Sequence, residues 1–434
     1  MANKLTKDLE IMFETFVNDF EAQLVISKAA KTFSPDSTDM QRAGDVVYRP
    51  QHYHMASVRG LDLSSATANS LLQRMVPSVM RAPNNIIYEL DAKEMRDEQH
   101  RTDAGRGAAQ RLAADIDIDV ANEVGLRATN IQTVTAQALA NGTAGKELWN
   151  AAAKLKANMT QIGVPAGLRR SAFWNADSSR DLASELGQRQ TVAGAVFDAY
   201  KDAQIPNVAG FQSFEVDNSP YLAAGSTATI TLAAVPAHKI EVQANNPDDY
   251  SIANMTNITP PPDNRQGDIT LSAAHGLKAG DAFTIDGVTM VHRITLADTG
   301  KPQVFRVLAV SGTTVTVSPK LLPVNNADVP SRPYANIAAN PLINAPITVV
   351  NKVGSPADVL WADGAVELML GRLAFPTGEG VQVMTSTTKQ GAYVIMAYSF
   401  DIKTAKTTCR FTTMYGANVL IPEHTALILR DQTA

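Results

Sequence analysis

Between about residues 226 and 350 the chain becomes a dense run of short alternating strands and tight turns. This block sits between a helix-rich first half and a C-terminal segment that resumes an earlier character. That order constrains the fold more than any single residue does. A β module placed inside another unit, in a chain with no recognisable catalytic motif, points to architecture before chemistry. Within the block, residues 283–285 and 288–291 flank Asp286-Gly287, while residues 304–310 and 313–317 flank Ser311-Gly312. Both pairs fit two-residue hairpins. With residues 227–232 and 269–272 added, the strands suffice for a small closed or nearly closed barrel. Residues 245–266 carry Asn245-Asn246-Pro247-Asp248-Asp249 and Pro260-Pro261-Pro262-Asp263, too polar and proline-rich for a core, and are predicted to project as a loop.

The rest of the chain is long enough to hold such a module. At 434 residues, two or three compact units are expected, each with a sizeable core. Basic residues number 38 and acidic ones 43, giving a net charge of -5, which does not support a global electrostatic grip on nucleic acid. The lone Cys409 excludes an intrachain disulfide framework and fits a reducing compartment; its apolar setting predicts a buried thiol. No apolar run reaches the roughly 20 residues that a membrane-spanning helix requires, so a soluble protein is expected.

The N-terminal segment places Leu5, Leu9, Met12, Phe13, Phe16, Phe20 and Leu24 at helical intervals with acidic residues between them, which predicts an amphipathic helix and not a secretory signal. Pro35 ends it. Residues 41–90 form an extended, turn-rich stretch interrupted by Pro77, like a long hairpin with little core of its own. From Asp91, the positions Ala108, Leu112, Ile116, Val120 and Val124 recur every four residues and predict a long helix with one apolar seam. Gly105 and Gly107 weaken it and suggest a bend there. Two further helical stretches are predicted at residues 146–158 and 177–188, inside a mixed α/β region whose topology the pattern leaves open.

Motifs for chemistry fall short of their requirements. Gly105-Arg106-Gly107 begins a dinucleotide fingerprint, but Gln110 replaces the third glycine and the setting is a helix interior. Gly145-Lys146 is followed by Glu147, which offers no hydroxyl for a phosphate-loop metal. Asp115, Asp117 and Asp119 imitate a calcium loop, yet Val120 and Leu126 replace its glycine and bidentate glutamate; they are expected on a solvated face or against a neighbouring subunit. His52 and His54 would project to one side of a strand, a metal-compatible spacing that lacks a third local ligand, and an exposed contact is favoured. No catalytic site, metal or cofactor is expected.

Several short segments, in order along the chain, carry a resemblance. They are Thr38-Asp39-Met40-Gln41-Arg42, Arg96-Asp97-Glu98, Ala209-Gly210-Phe211, Ser226-Thr227-Ala228-Thr229, Lys278-Ala279-Gly280-Asp281 and Asp286-Gly287-Val288. Tyr334-Ala335-Asn336, Trp361-Ala362-Asp363, Tyr415-Gly416-Ala417-Asn418 and Gln432-Thr433-Ala434 complete the series. Together the chain resembles the major coat proteins of short-tailed, Salmonella-phage-type podoviruses. Residues 141–205 and the loop at 245–266 match poorly.

The resemblance implies an α+β tailed-phage capsid fold with an inserted antiparallel β-barrel. It implies an N-terminal arm (1–40), an extended loop (41–90), a peripheral domain with a spine helix (91–140) and an axial domain in two parts (141–225 and 345–385). The inserted barrel would occupy residues 226–344, and residues 386–434 would return to the peripheral domain. It further implies hexamers and pentamers of an icosahedral virion shell, assembled in the bacterial cytoplasm around a scaffolding protein and expanding as double-stranded DNA enters through a portal. The packaged DNA would be touched only weakly, and a decoration protein could join the shell. On this reading Glu10, Glu14 and Glu21 are scaffold-docking candidates. Asp248 and Asp249 would reach an adjacent capsomer, with Arg293 or Lys301 as acceptors and His52 and His54 as further contact candidates. An encapsulin-like compartment shares the implied fold, and a secreted β-rich hydrolase or adhesin is the alternative of a different class.

Overall fold

The structure is a computed structural model that describes residues 5–34, 43–52, 54–55, 74–91, 93–94, 97–187, 205, 207–241, 263–273, 275–373, 375 and 381–433. In chain order the first half holds α1 (Leu5–Gln23), β1 (Lys31–Phe33), β2 (Val46–Pro50), β3 (Met75–Val79), β4 (Asn84–Asp91) and α2 (Glu98–Arg127). There follow β5 (Asn130–Thr135), α3 (Ala136–Ala140), α4 (Ala144–Ile162), β6 (Arg170–Asn175), α5 (Ala176–Gly187), β7 (Gln212–Val216) and β8 (Tyr221–Leu222). The middle block holds β9 (Ile230–Thr231), β10 (Gly267–Thr270), β11 (Ala282–Val291), β12 (Asp298–Ser311), β13 (Thr314–Ser318) and β14 (Pro346–Val349). The last part holds β15 (Ser355–Ala362), β16 (Val366–Leu370), β17 (Val381–Thr387), β18 (Tyr393–Asp401), β19 (Lys406–Thr413), β20 (Tyr415–Val419) and β21 (Thr425–Gln432). Two compact units result. The first comprises residues 1–47, 78–123 and 366–419, and the second residues 48–77, 124–365 and 420–434.

In the first unit, α1 and α2 pack on one face of a four-stranded antiparallel sheet ordered β17-β18-β19-β4. The helical spacing read from the sequence is real on both helices. Leu9, Met12, Phe16 and Phe20 are buried, and Phe16 stacks on Phe411 of β19 at 4.3 Å. The seam of α2 is likewise buried from Ala108 through Leu112, Ile116 and Val120. The helix continues through both glycines, and Gly105 has a packing reason: a Cβ there would lie 2.9 Å from the Met12 carbonyl oxygen, so only glycine lets α1 come this close. Cys409 is buried, as its surroundings predicted.

Two of the three aspartates of α2, Asp117 and Asp119, correct the expectation of a solvated or inter-subunit face. Asp117 is 8 % exposed, and its carboxylate accepts the backbone N–H groups of Val25 (2.8 Å), Ile26 (3.1 Å) and Ser27 (2.9 Å). Those donors lie at the start of the 3-10 turn Ser27–Ala29 that follows α1, where the first N–H groups of a helical turn have no acceptor within it. Asp119 accepts the Tyr415 hydroxyl at 2.8 Å and pairs with Arg81 at 3.0 Å, while Asp115 pairs with Arg111 one turn away at 3.1 Å. On a helix, residues two apart point to different sides, so each carboxylate found its own neighbour.

In the second unit, a sheet ordered β5-β21-β15-β6-β7 carries α3, α4 and α5, and Leu148, Leu155, Met159 and Leu182 meet Trp174, Leu360 and Ile428 in one core. The six-stranded array β10-β13-β12-β11-β14-β9 is closed into a barrel between its outer strands. A bridge pairs Leu232 with Leu271, with Ala233 N–H to Thr270 O at 2.9 Å and Ser272 N–H to Thr231 O at 3.0 Å. Phe283 and Phe305 lie at its centre, rings 5.8 Å apart.

One of the two hairpins expected in this block exists. The pairing of Ser311 with Thr314 makes the β12–β13 turn, one residue later than the pattern suggested, with Gly312 at φ +61°. The Asp286-Gly287 hairpin does not form. Residues 282–291 are one strand, paired with β12 on one side and β14 on the other, with the register shifting between Thr284 and Thr289. Ile285 and Val288 both enter the core although they are three apart, so an extra residue resets the alternation. Gly287 at φ +76° supplies the left-handed backbone that this β-bulge uses. The same residue pair satisfies a turn or a bulge, and strand neighbours decide which. The loop predicted at 245–266, with Asp248 and Asp249, falls almost wholly outside the described residues.

Replacing Asp117 by Ala leaves three backbone donors behind α1 without their acceptor. At about 1 kcal/mol or more for each buried donor, a loss of roughly 3 kcal/mol is expected, read as a lower urea midpoint with an unchanged slope.

Candidate functional site

One cluster of charged and imidazole side chains in the second unit is buried at its centre, at Arg74 and Glu423, with Arg293, His424 and His54 half-buried around it. Arg74 begins β3's approach, Arg293 follows β11, and Glu423 and His424 precede β21. Arg74 and Glu423 form an ion pair at 3.5 Å with both side chains almost fully buried. Arg293 donates from one guanidinium nitrogen to Nε2 of His424 at 3.2 Å. An arginine can only donate, so Nε2 accepts and the His424 proton sits on Nδ1. His54 lies against the Tyr334 ring at 5.0 Å.

The electrostatics follow from that packing. Burial pushes the Glu423 carboxyl up, but Arg74 and Arg293 together outweigh it and hold the group down at about 2. Burial, then Arg293, lowers His54 to about 4 and His424 to about 3. Both imidazoles are therefore neutral at physiological pH. A neutral imidazole beside a guanidinium is a hydrogen-bond acceptor and packing surface, and a carboxylate held at 2 is a poor base. The cluster ties the start of β3 and the segment after β11 to the segment before β21.

A further buried cation lies elsewhere in the unit. Arg306 of β12 is 0 % exposed; it donates to the carbonyl oxygen of Leu126 at 3.3 Å and to that of Gly125. These are carbonyls of the last turn of α2, which have no intrahelical partner and carry the negative end of the helix dipole. Asp263 pairs with Arg127 at 3.8 Å and with Arg265 at 2.8 Å, and Arg265 reaches the Pro77 carbonyl at 3.3 Å. The barrel thus grips a helix end through charge-assisted bonds.

The residues singled out from sequence are dispersed. His52 is exposed, and His54 is half-buried in its own chain, 5.0 Å from Tyr334. Arg293 is engaged with His424, and Lys301 donates to Asn158 Oδ1. Glu10 and Glu14 are exposed on α1, whereas Glu21 is half-buried and binds the Lys389 backbone N–H and ammonium. Asp248 and Asp249 lie outside the described residues. Arg74, Arg306 and Glu423 were not among those singled out, and His424, which the sequence places in no recognisable motif, joins the cluster. A lone arginine inside Val304-Phe305-Arg306-Val307 was the available signal, since a charge at a strand centre demands a buried partner.

A family model described as P22 coat protein, gene protein 5, matches residues 1–428. The chain belongs to the P22 coat protein family. It is accordingly a major capsid protein of a tailed phage, with the α+β capsid fold of that group, and it forms part of the multimeric shell of the virion. Among solved structures, the CUS-3 coat protein I-domain is 56% identical, covering 30% of this chain and 100% of that one, with a TM-score of 0.23. The capsid of Cyanophage P-SCSP1u is 11% identical, covering 95% and 89% of the two chains, with a TM-score of 0.48. A structure from Mycobacterium phage Che8 is 11% identical, covering 89% and 85%, with a TM-score of 0.43. No described helix is long and apolar enough to cross a membrane.

The cluster makes the stability of this unit depend on pH. Each imidazole titrates near 6.5 when unfolded and near 4 (His54) or 3 (His424) when folded, so the unfolded chain takes up the proton first. The stability these groups contribute is complete above about pH 6.5 and is lost as pH falls toward 4 and 3. Glu423 acts lower, from 4.5 down to about 2. His424→Gln, which keeps an acceptor for Arg293 but cannot charge, should flatten the fall in urea stability between pH 6.5 and 4. Glu423→Gln strands two guanidiniums and should cost about 3–5 kcal/mol at pH 7 in the same measurement.

Proposed function

We propose that copies of this chain form hexamers and pentamers of an icosahedral shell enclosing double-stranded DNA. The shell begins as a procapsid built around an internal scaffolding protein in the bacterial cytoplasm, and it expands as DNA enters through a portal. The net charge of -5 suits a container that holds its cargo without gripping it. Residues 1–40 act as an arm and 41–90 as an extended loop, each completed by neighbouring copies. The spine helix lies in a peripheral domain at 91–140, an axial domain comprises 141–225 and 345–385, the inserted barrel spans 226–344, and 386–434 return to the peripheral domain. A decoration protein is compatible with this organisation.

The observation that carries the scaffold step is the division of labour on α1. Its apolar face is buried against its own unit, while Glu10 and Glu14, one turn apart, stay exposed and make no hydrogen bond or ion pair among the described residues. Glu21, occupied by Lys389, is the lesser contributor. A basic scaffold segment finds on α1 a fixed acidic stripe, and Asp248 and Asp249 provide a second acidic contact, toward a basic group of an adjacent capsomer.

Co-expression with the scaffolding protein tests both contacts. Glu14→Lys should yield particles depleted of scaffold by sedimentation and gel analysis, with an unchanged subunit melting curve; full scaffold content would refute the docking role. Deleting residues 246–249 should lower the yield of closed shells by electron microscopy while monomer stability holds, and an unaltered yield would count against the inter-capsomer contact.

A further inference from the structure

Strand β17 is an edge strand that lacks the usual protection. Its sequence, Val381-Gln382-Val383-Met384-Thr385-Ser386-Thr387, has no charge and no proline, and none of its residues is buried. All seven pair with β18, and the opposite edge makes no hydrogen bond among the described residues. Alternate N–H and C=O groups along that edge are therefore open. Natural sheets blunt such an edge with a charge, a proline, a cover or closure, because it otherwise recruits another chain.

Among the described residues the other sheet edges are blunted, β1 by Lys31 among them. At the far side of the same sheet β4 carries Glu89 and Asp91, β2 and β3 contain Pro50 and Pro77, and β7 carries Glu215. Of the uncharged edges, β20 is wholly buried and β5 has three of its six residues buried, and β9 and β10 close the barrel on each other. Beside β17, on the face of the sheet turned away from α1, lies a groove of about 320 Å³ floored by Ile87, Phe375, Val381 and Ala397. Ile87 is 63 % exposed. An open edge and an apolar floor meet along one strand.

We infer that β17 is an inter-subunit seam, occupied in the shell by β17 of a second copy running antiparallel about Met384. Three considerations select that occupant. The chain belongs to a shell, so every copy has neighbours of its own kind. The strand is neutral, so two copies meet without like-charge repulsion, whereas an acidic or basic partner finds nothing there to pair with. An isologous pairing also satisfies both open edges in one contact. With Met384 on the axis, Val383 of one copy stands opposite Thr385 of the other, and the apolar floor gains cover from the added strand.

The register makes the inference testable in the full-length chain. Met384→Cys should give a disulfide-linked coat dimer when assembled shells are oxidised, and none when unassembled subunits are treated alike; Cys409 is buried and serves as the internal control. The pair Val383→Lys with Thr385→Lys sets like charges directly opposite and should abolish shells while leaving the subunit melting temperature unchanged. The pair Val383→Lys with Thr385→Glu sets opposite charges face to face and should restore them. No dimer from oxidised shells, a crosslink to a different protein, or equal shell yields from the two charge pairs would each overturn the seam.

Discussion

The buried guanidinium of Arg306 is the contact on which the second unit's organisation depends. A helix that ends inside a protein leaves carbonyls without partners, and each costs free energy unless something donates to it. At the end of α2 that donor comes from β12, some 180 residues later in the chain, bonded to Gly125 and Leu126. Burial lowers this arginine to about 10, with Asp281 opposing the shift, so it remains charged at neutral pH. The inserted barrel is thereby tied to the helix that precedes it by a bond that exists only when both have folded. Gly125 contributes from the other direction, since a Cβ there would lie 3.0 Å from Pro220.

Both clusters in this unit use ions where an apolar core would bind as well or better. Replacing buried ion pairs by hydrocarbon is often neutral or stabilising, while breaking one is costly. What such pairs add is a restriction on geometry: Arg74 meets Glu423 and Arg293 meets His424 in a single arrangement. For a subunit that must repeat many times around a shell, a unique geometry is worth more than extra cohesion. The neutral histidines complete it by accepting and stacking without adding to the positive charge.

How much of this was legible in the sequence follows from which forces act locally. The four-residue spacing of Ala108, Leu112, Ile116 and Val120 announced α2, because one face of a helix sees one environment. Alternation in residues 304–317 announced the β12–β13 hairpin for the same reason. Asp286-Gly287 misled, since its left-handed preference is shared by turns and bulges, and the choice was made by β12 and β14, which flank the strand. Asp117 misled because a carboxylate on a helix reads as solvated until its three donors arrive from residues 25–27. The ionic cluster was illegible for the same cause: Arg74, Arg293 and Glu423 lie far apart in the chain, and no local pattern marks the positions where they meet.

The physical logic of a shell explains why long-range, individually modest contacts recur throughout this chain. Each inter-subunit contact, once its neighbours are in place, forms as if intramolecular, so its affinity need not be high for the whole to be stable. Strong isolated contacts would trap misplaced copies, whereas weak ones let an incorrect subunit leave. That places opposite demands on the two kinds of surface. Inside the subunit, geometry must be fixed, and buried ions with a single satisfied arrangement do so at Arg306 and Glu423. Between subunits, adhesion must be slight and directional, and an uncharged strand edge of seven residues meets that need because backbone hydrogen bonds fix orientation while contributing little net energy each. The subunit can stay rigid and the assembly reversible because different interactions carry the two properties.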